Sequence, residues 1–193
     1  MKVDCPAAAI LACAFASTAW GQQSAIPKTR DSASPLVETL QLIEKELNGI
    51  GRIRFVVHVT DKEAGNATTN YSEEIGNAVA DPANCTIRYH WWRMMHGDVT
   101  NDEDVSINLQ DVLGVWTGTS DQYQKKVFER EKSSPDERQT FFVRFDPPMF
   151  VVAVRTAEDN EDGISFVDEK KALLLGKSFS DAVKLCGGKN QLY

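Results

Sequence analysis

The runs in this chain that alternate apolar and polar side chains are joined by links that are mostly too short to hold a crossover helix. Parallel neighbours in one sheet need such a crossover, about a dozen residues or more, so these strands are expected to run antiparallel. The alternation is plainest from Arg52 to Thr60: Ile53, Phe55, Val57 and Val59 face one way, and Arg54, Val56, His58 and Thr60 the other. Thr86 to Met94 repeats it, with Ile87, Tyr89 and Trp91 opposed to Arg88, His90, Trp92 and Met94. A third region opens at Val105, Ile107 and Leu109 and runs, with a break at Gly114, to about Trp116. Gln124 to Glu131 is expected as a polar edge strand. Thr140 to Phe145 and Met149 to Arg155 are two strong strands flanking Asp146-Pro147-Pro148, and Ile164 to Val167 is a short last one. Residues 61–84 are polar and carry Gly65, Gly76 and Pro82, which predicts a long connection with a short helix around Tyr71–Ala80. Gly97 to Asp104 reads as an acidic turn, and residues 133–138 and 158–163 as further turns.

Two helices bracket this series. Ser34-Pro35 has the form of an N-cap followed by proline at the first helical position, and Leu36, Leu40, Ile43 and Leu47 make one apolar stripe that ends at Gly49. Asp168 caps a final helix whose apolar face is Ala172, Leu175, Phe179, Ala182, Val183 and Cys186, stopped by Gly187-Gly188. The predicted class is α+β, an antiparallel β-sheet or barrel of about seven strands with an N-terminal and a C-terminal helix.

The strand series 52–167 closed by the helix DEKKALLLGKSFSDAVKLC at 168–186 resembles pleckstrin-homology-like barrel domains with an added N-terminal helix. The resemblance is one of element order and covers most of the chain. It implies a binding module for lipids or peptides, and a fold alone does not choose between them. The other arrangement compatible with the order is a half-open antiparallel sheet with both helices on one face.

The N-terminus carries the pattern of an export signal. Lys2 is the positive end, Ala7 to Ala19 the short apolar core, and Ala19 and Gly21 the small residues for cleavage after Gly21, with Ser17 and Ala19 as an alternative. Ile10-Leu11-Ala12-Cys13 has the outline of a lipoprotein box, but Leu11 fits poorly and cleavage at Cys13 would leave too short a signal. The expected organisation is a signal peptide at 1–21, a disordered polar leader at 22–33, one globular domain at 34–188 and a tail at 189–193. The expected location is secreted or periplasmic. Roughly 170 residues remain after cleavage, enough for one domain with a full core. No later segment has the apolar length of a membrane span.

Two cysteines then remain, Cys85 and Cys186. In an exported domain they are expected to form one disulfide, the other reading being a pair of buried thiols. The chain carries a net charge of −7, which Lys2 and Asp4 leave unchanged on cleavage because they cancel. An acidic domain without a lysine- or arginine-rich cluster repels phosphate backbones, so nucleic acid is not an expected partner.

No motif for chemistry stands clear of chance. Glu158-x-Asn160-x-Asp162-Gly163 with Glu169 approaches a calcium loop, but a strand stands where the entering helix should be, so a hairpin turn is expected. Leu175-Gly176-Lys177-Ser178 ends like a phosphate loop inside a helix. His58, His90 and His96 are the only histidines, and with Asp98 their spacing matches no helical ligand pair. Asn66, Asn70 and Asn84 begin glycosylation triplets. No cofactor is expected.

The expected function is a non-enzymatic binding or interaction module for a protein or small ligand. The alternatives are a hydrolase or metal-dependent enzyme using His58, His90 and His96, and a structural protein of an envelope assembly. If strands 52–60 and 86–94 pair directly, Arg54, His58, Arg88, His90 and Trp92 merge into one cationic and aromatic platform suited to an anionic or aromatic group. That platform exists only if the Leu36–Leu47 helix does not cover it.

Overall fold

The computed structural model describes residues 34–61, 65–130, 141–156 and 161–188. The proposed signal and leader, 1–33, and the tail, 189–193, lie outside them. The described chain is α+β: α1 (Pro35–Asn48), β1 (Gly51–Asp61), β2 (Gly65–Asp81), β3 (Thr86–Met95), β4 (Asp98–Asn108), β5 (Val112–Thr119), α2 (Ser120–Arg130), β6 (Phe141–Asp146), β7 (Phe150–Thr156), β8 (Glu161–Phe166) and α3 (Glu169–Leu185). The eight strands form two antiparallel sheets, β4-β3-β2-β1-β6 and β5-β7-β8.

Both bracketing helices form where the sequence places them. Ser34 accepts from the Val37 amide at 3.4 Å, Pro35 starts the helix, and Leu40, Ile43 and Leu47 are fully buried. The Asp168 carboxylate caps the Lys170 and Lys171 amides. At the other end of α3 the Gly188 amide donates to the Val183 carbonyl and the Gly187 amide to Lys184, a closing turn that needs the left-handed backbone of Gly187 (φ 81°). The apolar stripe of α3, Ala172, Leu175, Phe179, Ala182 and Val183, has no exposed surface. It packs on β5, β7, β8 and α1, while α1 lies mainly on β2.

Three segments differ from expectation. Residues 65–81 form a 17-residue strand, not a connection with a helix. Ser72, Glu74 and Gly76 look outward on this strand while Tyr71, Glu73 and Ile75 face the interior, so its polar composition hides a period of two. A bulge at Asn77 (φ 54°) breaks its register with β3, and Asn48 of α1 satisfies both backbone groups of Ala78 there at 2.9 Å. The acidic turn expected at Gly97–Asp104 is mostly β4, an edge strand, and the turn itself is only His96-Gly97, both with positive φ. The region from Val105 is therefore two strands, parted at Leu109–Asp111. Where a polar edge strand is expected at Gln124–Glu131, the described part, to Arg130, is helix α2. Its start is a reciprocal cap, with the Gln122 amide donating to Thr119 Oγ1 at 3.2 Å and the Thr119 amide to Gln122 Oε1 at 3.1 Å.

Glu158 and Asn160 of the near-calcium loop lie outside the described residues; Asp162 and Gly163 lie in β8, which pairs antiparallel with β7. Gly176 of the phosphate-loop look-alike has a packing role: a Cβ there would collide with Thr117 Oγ1 of β5. Asn66, Asn70 and Asn84 are all exposed. Among the described residues no helix is long and apolar enough to cross a membrane.

Cys85 and Cys186 stand at disulfide distance, their Cα atoms 5.9 Å apart and their positions 101 residues apart. The bond ties the end of α3 to the start of β3. Closing a loop of this length stabilises by about 4–5 kcal/mol in the chain-entropy description, so Cys85→Ser/Cys186→Ser should lose about that much in urea unfolding. Gly176→Ala should cost about 1–3 kcal/mol by overpacking against β5, and Thr117→Ala should recover part of that loss in the double variant, read from the same unfolding curves.

Candidate functional site

Cross-strand neighbours share a face, so the register of the large sheet sorts its side chains directly. One face carries Trp92, His90 and Arg88 of β3, Asp102 and Asp104 of β4, Glu74 and Ser72 of β2, and Arg52, Arg54 and His58 of β1. This is the face expected to form the platform. Strands β1 and β3 do not pair; β2 lies between them. The structure brings Arg88, His90 and Trp92 into one row on β3, with the His90 and Trp92 rings 3.8 Å apart. It does not bring Arg54 and His58 to them. Arg54 is two strands away beyond Ser72. His58 faces Thr68, eight residues along β2 from the Gly76 that faces His90, about 27 Å at strand rise. Helix α1 leaves this face uncovered, because its stripe packs with Ile75, Ile87 and Tyr89 on the other.

The face is also not simply cationic. With β4 formed, Asp104 Oδ1 lies 2.6 Å from His90 Nδ1 and Asp102 Oδ1 2.6 Å from Nε2. Both ring nitrogens meet carboxylates, an arrangement that suits the doubly protonated imidazolium. The Asp104 hydrogen bond, the largest cause, holds the His90 pKa above its ordinary 6.5; partial desolvation opposes this, and Asp102 adds to the rise. The two carboxylates sit at opposite ends of the ring, so they cannot converge with it on one ion. Among the described residues no group of three or more His, Cys, Asp or Glu side chains is placed to hold a metal. His58 bonds Thr68 Oγ1 at 3.3 Å, and His96 sits in the β3–β4 turn with its amide on the Asn70 carbonyl. No hydrogen bond or ion pair joins one histidine to another or to Asp98 among the described residues.

The opposite face of the large sheet borders a cavity of about 700 Å³, within the range of small-molecule sites. Sequence reasoning did not identify it. Phe55, Val57 and Val59 of β1, Tyr71 and Glu73 of β2, Tyr89, Trp91 and Arg93 of β3, Glu103 and Val105 of β4, and Val143 and Phe145 of β6 line one side. Helix α2 supplies Ser120, Tyr123, Gln124 and Val127, and Met149, Val151, Glu161, Asp162, Gly163 and Ser165 complete the wall from the smaller sheet and its approach. The Phe55 and Tyr71 rings stack at 5.5 Å, and Phe55 meets Phe145 at 5.9 Å. Glu73, only 4 % exposed, accepts from Arg93 Nε at 2.7 Å and also pairs with its Nη2. The Arg93 guanidinium in turn lies 4.8 Å over the Trp91 ring. Burial, and then the nearby Glu103 charge, raise the Asp162 pKa. Burial, and then Asp162, raise that of the Tyr89 hydroxyl. The signal that pointed here was the apolar row Ile53–Val59 with Tyr89 and Trp91. What lay opposite that row depends on α2 and β8, which the row itself does not encode.

The raised His90 pKa has a definite sign for stability. His90 gains its charge more readily folded than unfolded, so its contribution is complete below about pH 6.5 and fades as pH rises through the raised value. In an NMR titration the His90 ring should turn over above 6.5 and move back towards it in Asp104→Asn. The stability advantage of the native chain over His90→Gln should shrink as the solution is made alkaline. A midpoint at or below 6.5 would contradict the clamp.

Compared with known proteins, the chain matches no family model, no curated protein and no solved structure.

Proposed function

We propose that this protein is a non-enzymatic binding module that works outside the cytoplasm and holds a small, largely apolar molecule in the aromatic cavity beside its large sheet. The observation that carries this reading is the cavity itself. It is a half-open, aromatic-lined pocket of about 700 Å³, a concave surface from which a ligand of matching shape would displace water. The few polar groups among its walls would orient a guest, the usual composition of a small-molecule site.

Export rests on the Lys2, Ala7–Ala19 and Gly21 pattern, and the Cys85–Cys186 pair is what an oxidising compartment permits. The resemblance of element order to pleckstrin-homology-like barrels, a class made mostly of binding modules, is a further ground for this reading, with α2 standing as an addition between β5 and β6.

A neutral apolar dye, N-phenyl-1-naphthylamine, tests the cavity. Titrated into the exported protein, it should brighten, shift to the blue and saturate near one dye per chain. Val57→Trp, which fills the space from β1, should weaken it about tenfold while far-ultraviolet circular dichroism stays unchanged. Weak, unsaturable binding, or equal binding by a folded Val57→Trp chain, would overturn the assignment.

A further inference from the structure

The acidic side chains of the cavity are unevenly provided for. Arg93 is the only lysine or arginine among the lining residues, and it is taken up by Glu73 and by the face of Trp91. Glu103 faces Trp91 across the β3–β4 register and receives only the Asn101 amide, at 2.9 Å. Asp162 faces Val154 on the smaller sheet. Neither Glu103 nor Asp162 forms a salt bridge with a lysine or arginine among the described residues. Both nevertheless line the one cavity, where burial and then the nearby Glu103 charge raise the Asp162 pKa. A second observation is independent of the charges. Tyr89 is 4 % exposed and lines the cavity, yet its hydroxyl has no hydrogen-bond partner among the described residues. The oxygen itself is not fully enclosed, so it can take a partner that reaches it.

We propose that the molecule held in the cavity is an organic cation, an aromatic or apolar body ending in a primary ammonium placed among Glu103, Asp162 and the Tyr89 hydroxyl. This rests on the cavity being a binding site. An ammonium supplies three N–H donors and one positive charge, which matches two carboxylates and one hydroxyl oxygen. The rest of the molecule would lie against rings whose faces attract cations, as Trp91 already does for Arg93. An anionic guest of the same shape, such as a fatty acid, would place a third negative charge beside two that form no salt bridge with a lysine or arginine among the described residues.

Three probes with one naphthyl body separate the possibilities: 2-(1-naphthyl)ethylamine, 2-(1-naphthyl)ethanol and 1-naphthylacetate, each competed against N-phenyl-1-naphthylamine on the exported protein. The amine should displace the dye at about tenfold lower concentration than the alcohol, and the acetate should be the weakest of the three. Glu103→Gln and Asp162→Asn should each narrow the gap between amine and alcohol measured on the same variant, and the double variant should close it. An amine no tighter than the alcohol, an acetate tighter than both, or an amine advantage that survives in the double variant would overturn the charge assignment while leaving the cavity standing. Failure of the dye and all three probes to bind would overturn the cavity and this inference together.

Discussion

The buried stripe of α3 is the contact on which the rest of the structure depends. Leu175, Phe179, Ala182 and Val183 have no exposed surface. They join the small sheet to α1, and α1 reaches the large sheet through Leu40, Ile43 and Leu47. The bulged end of β2 lies under α1, where β1 has already ended at Gly51 and can no longer pair with it. Asn48 and Glu44 of α1 take over the backbone groups of Ala78 and Ala80 there. The disulfide fastens the C-terminal end of the same helix to β3. Two sheets that share no strand pairing are thus held together by two helices and one covalent tie.

That division has a consequence for the interior. The main core gathers Ile75, Ile87, Ile107, Val152, Val154 and Ile164 around the two helical stripes. A second, smaller cluster gathers Ile53, Phe55 and Met149, and beside it the cavity stays open. Strand β7 marks the boundary. It is buried at four successive positions, Val151 to Val154; Val152 and Val154 belong to the helix-packed core, and Val151 borders the cavity. The large sheet can spread its aromatic residues around an empty space because stability is secured elsewhere. A Glu73–Arg93 pair among them offers little net stability, since desolvating two charges offsets most of their attraction, but it fixes the orientation of both side chains.

Much of this was legible in the sequence, and the failures have identifiable causes. Both bracketing helices were signalled by local chemistry, Ser34-Pro35 and Asp168 at their starts and Gly187-Gly188 at the last stop. Strands β1, β3 and β7 are apolar enough on one face to show their period. Strand β2 was hidden because only Tyr71, Glu73 and Ile75 face inward along its middle, and one of these is a glutamate whose partner, Arg93, lies on another strand. Strand β4 was hidden because an edge strand carries charges that resist further pairing; its Asp102-Glu103-Asp104 run reads as a loop until the inward positions Glu103, Val105 and Ile107 are taken together. Helix α2 carries a signal that the sequence reading did not use, the Thr119-Ser120-Asp121-Gln122 capping box. The candidate cavity was only half visible: Tyr89 and Trp91 were placed on one face, but the missed α2 and the register of β8 supply what stands across from them.

The misplaced strand β4 also decides how the two faces of the large sheet differ. Its alternation sends Asp102 and Asp104 outward and Glu103 inward. Outside, the two aspartates meet His90, whose ring answers both of them. Both ring nitrogens are engaged there, which leaves none free to grip a ligand. Inside, Glu103 and Asp162 line the same cavity, and the Arg93 guanidinium there is engaged by Glu73. The same strand, read at alternate residues, thus pairs its aspartates with His90 on one face and, among the described residues, leaves Glu103 without a salt bridge to a lysine or arginine on the other. A counter-charge within the fold closes a surface to binding, and its absence beside a cavity gives a guest of opposite charge something to supply.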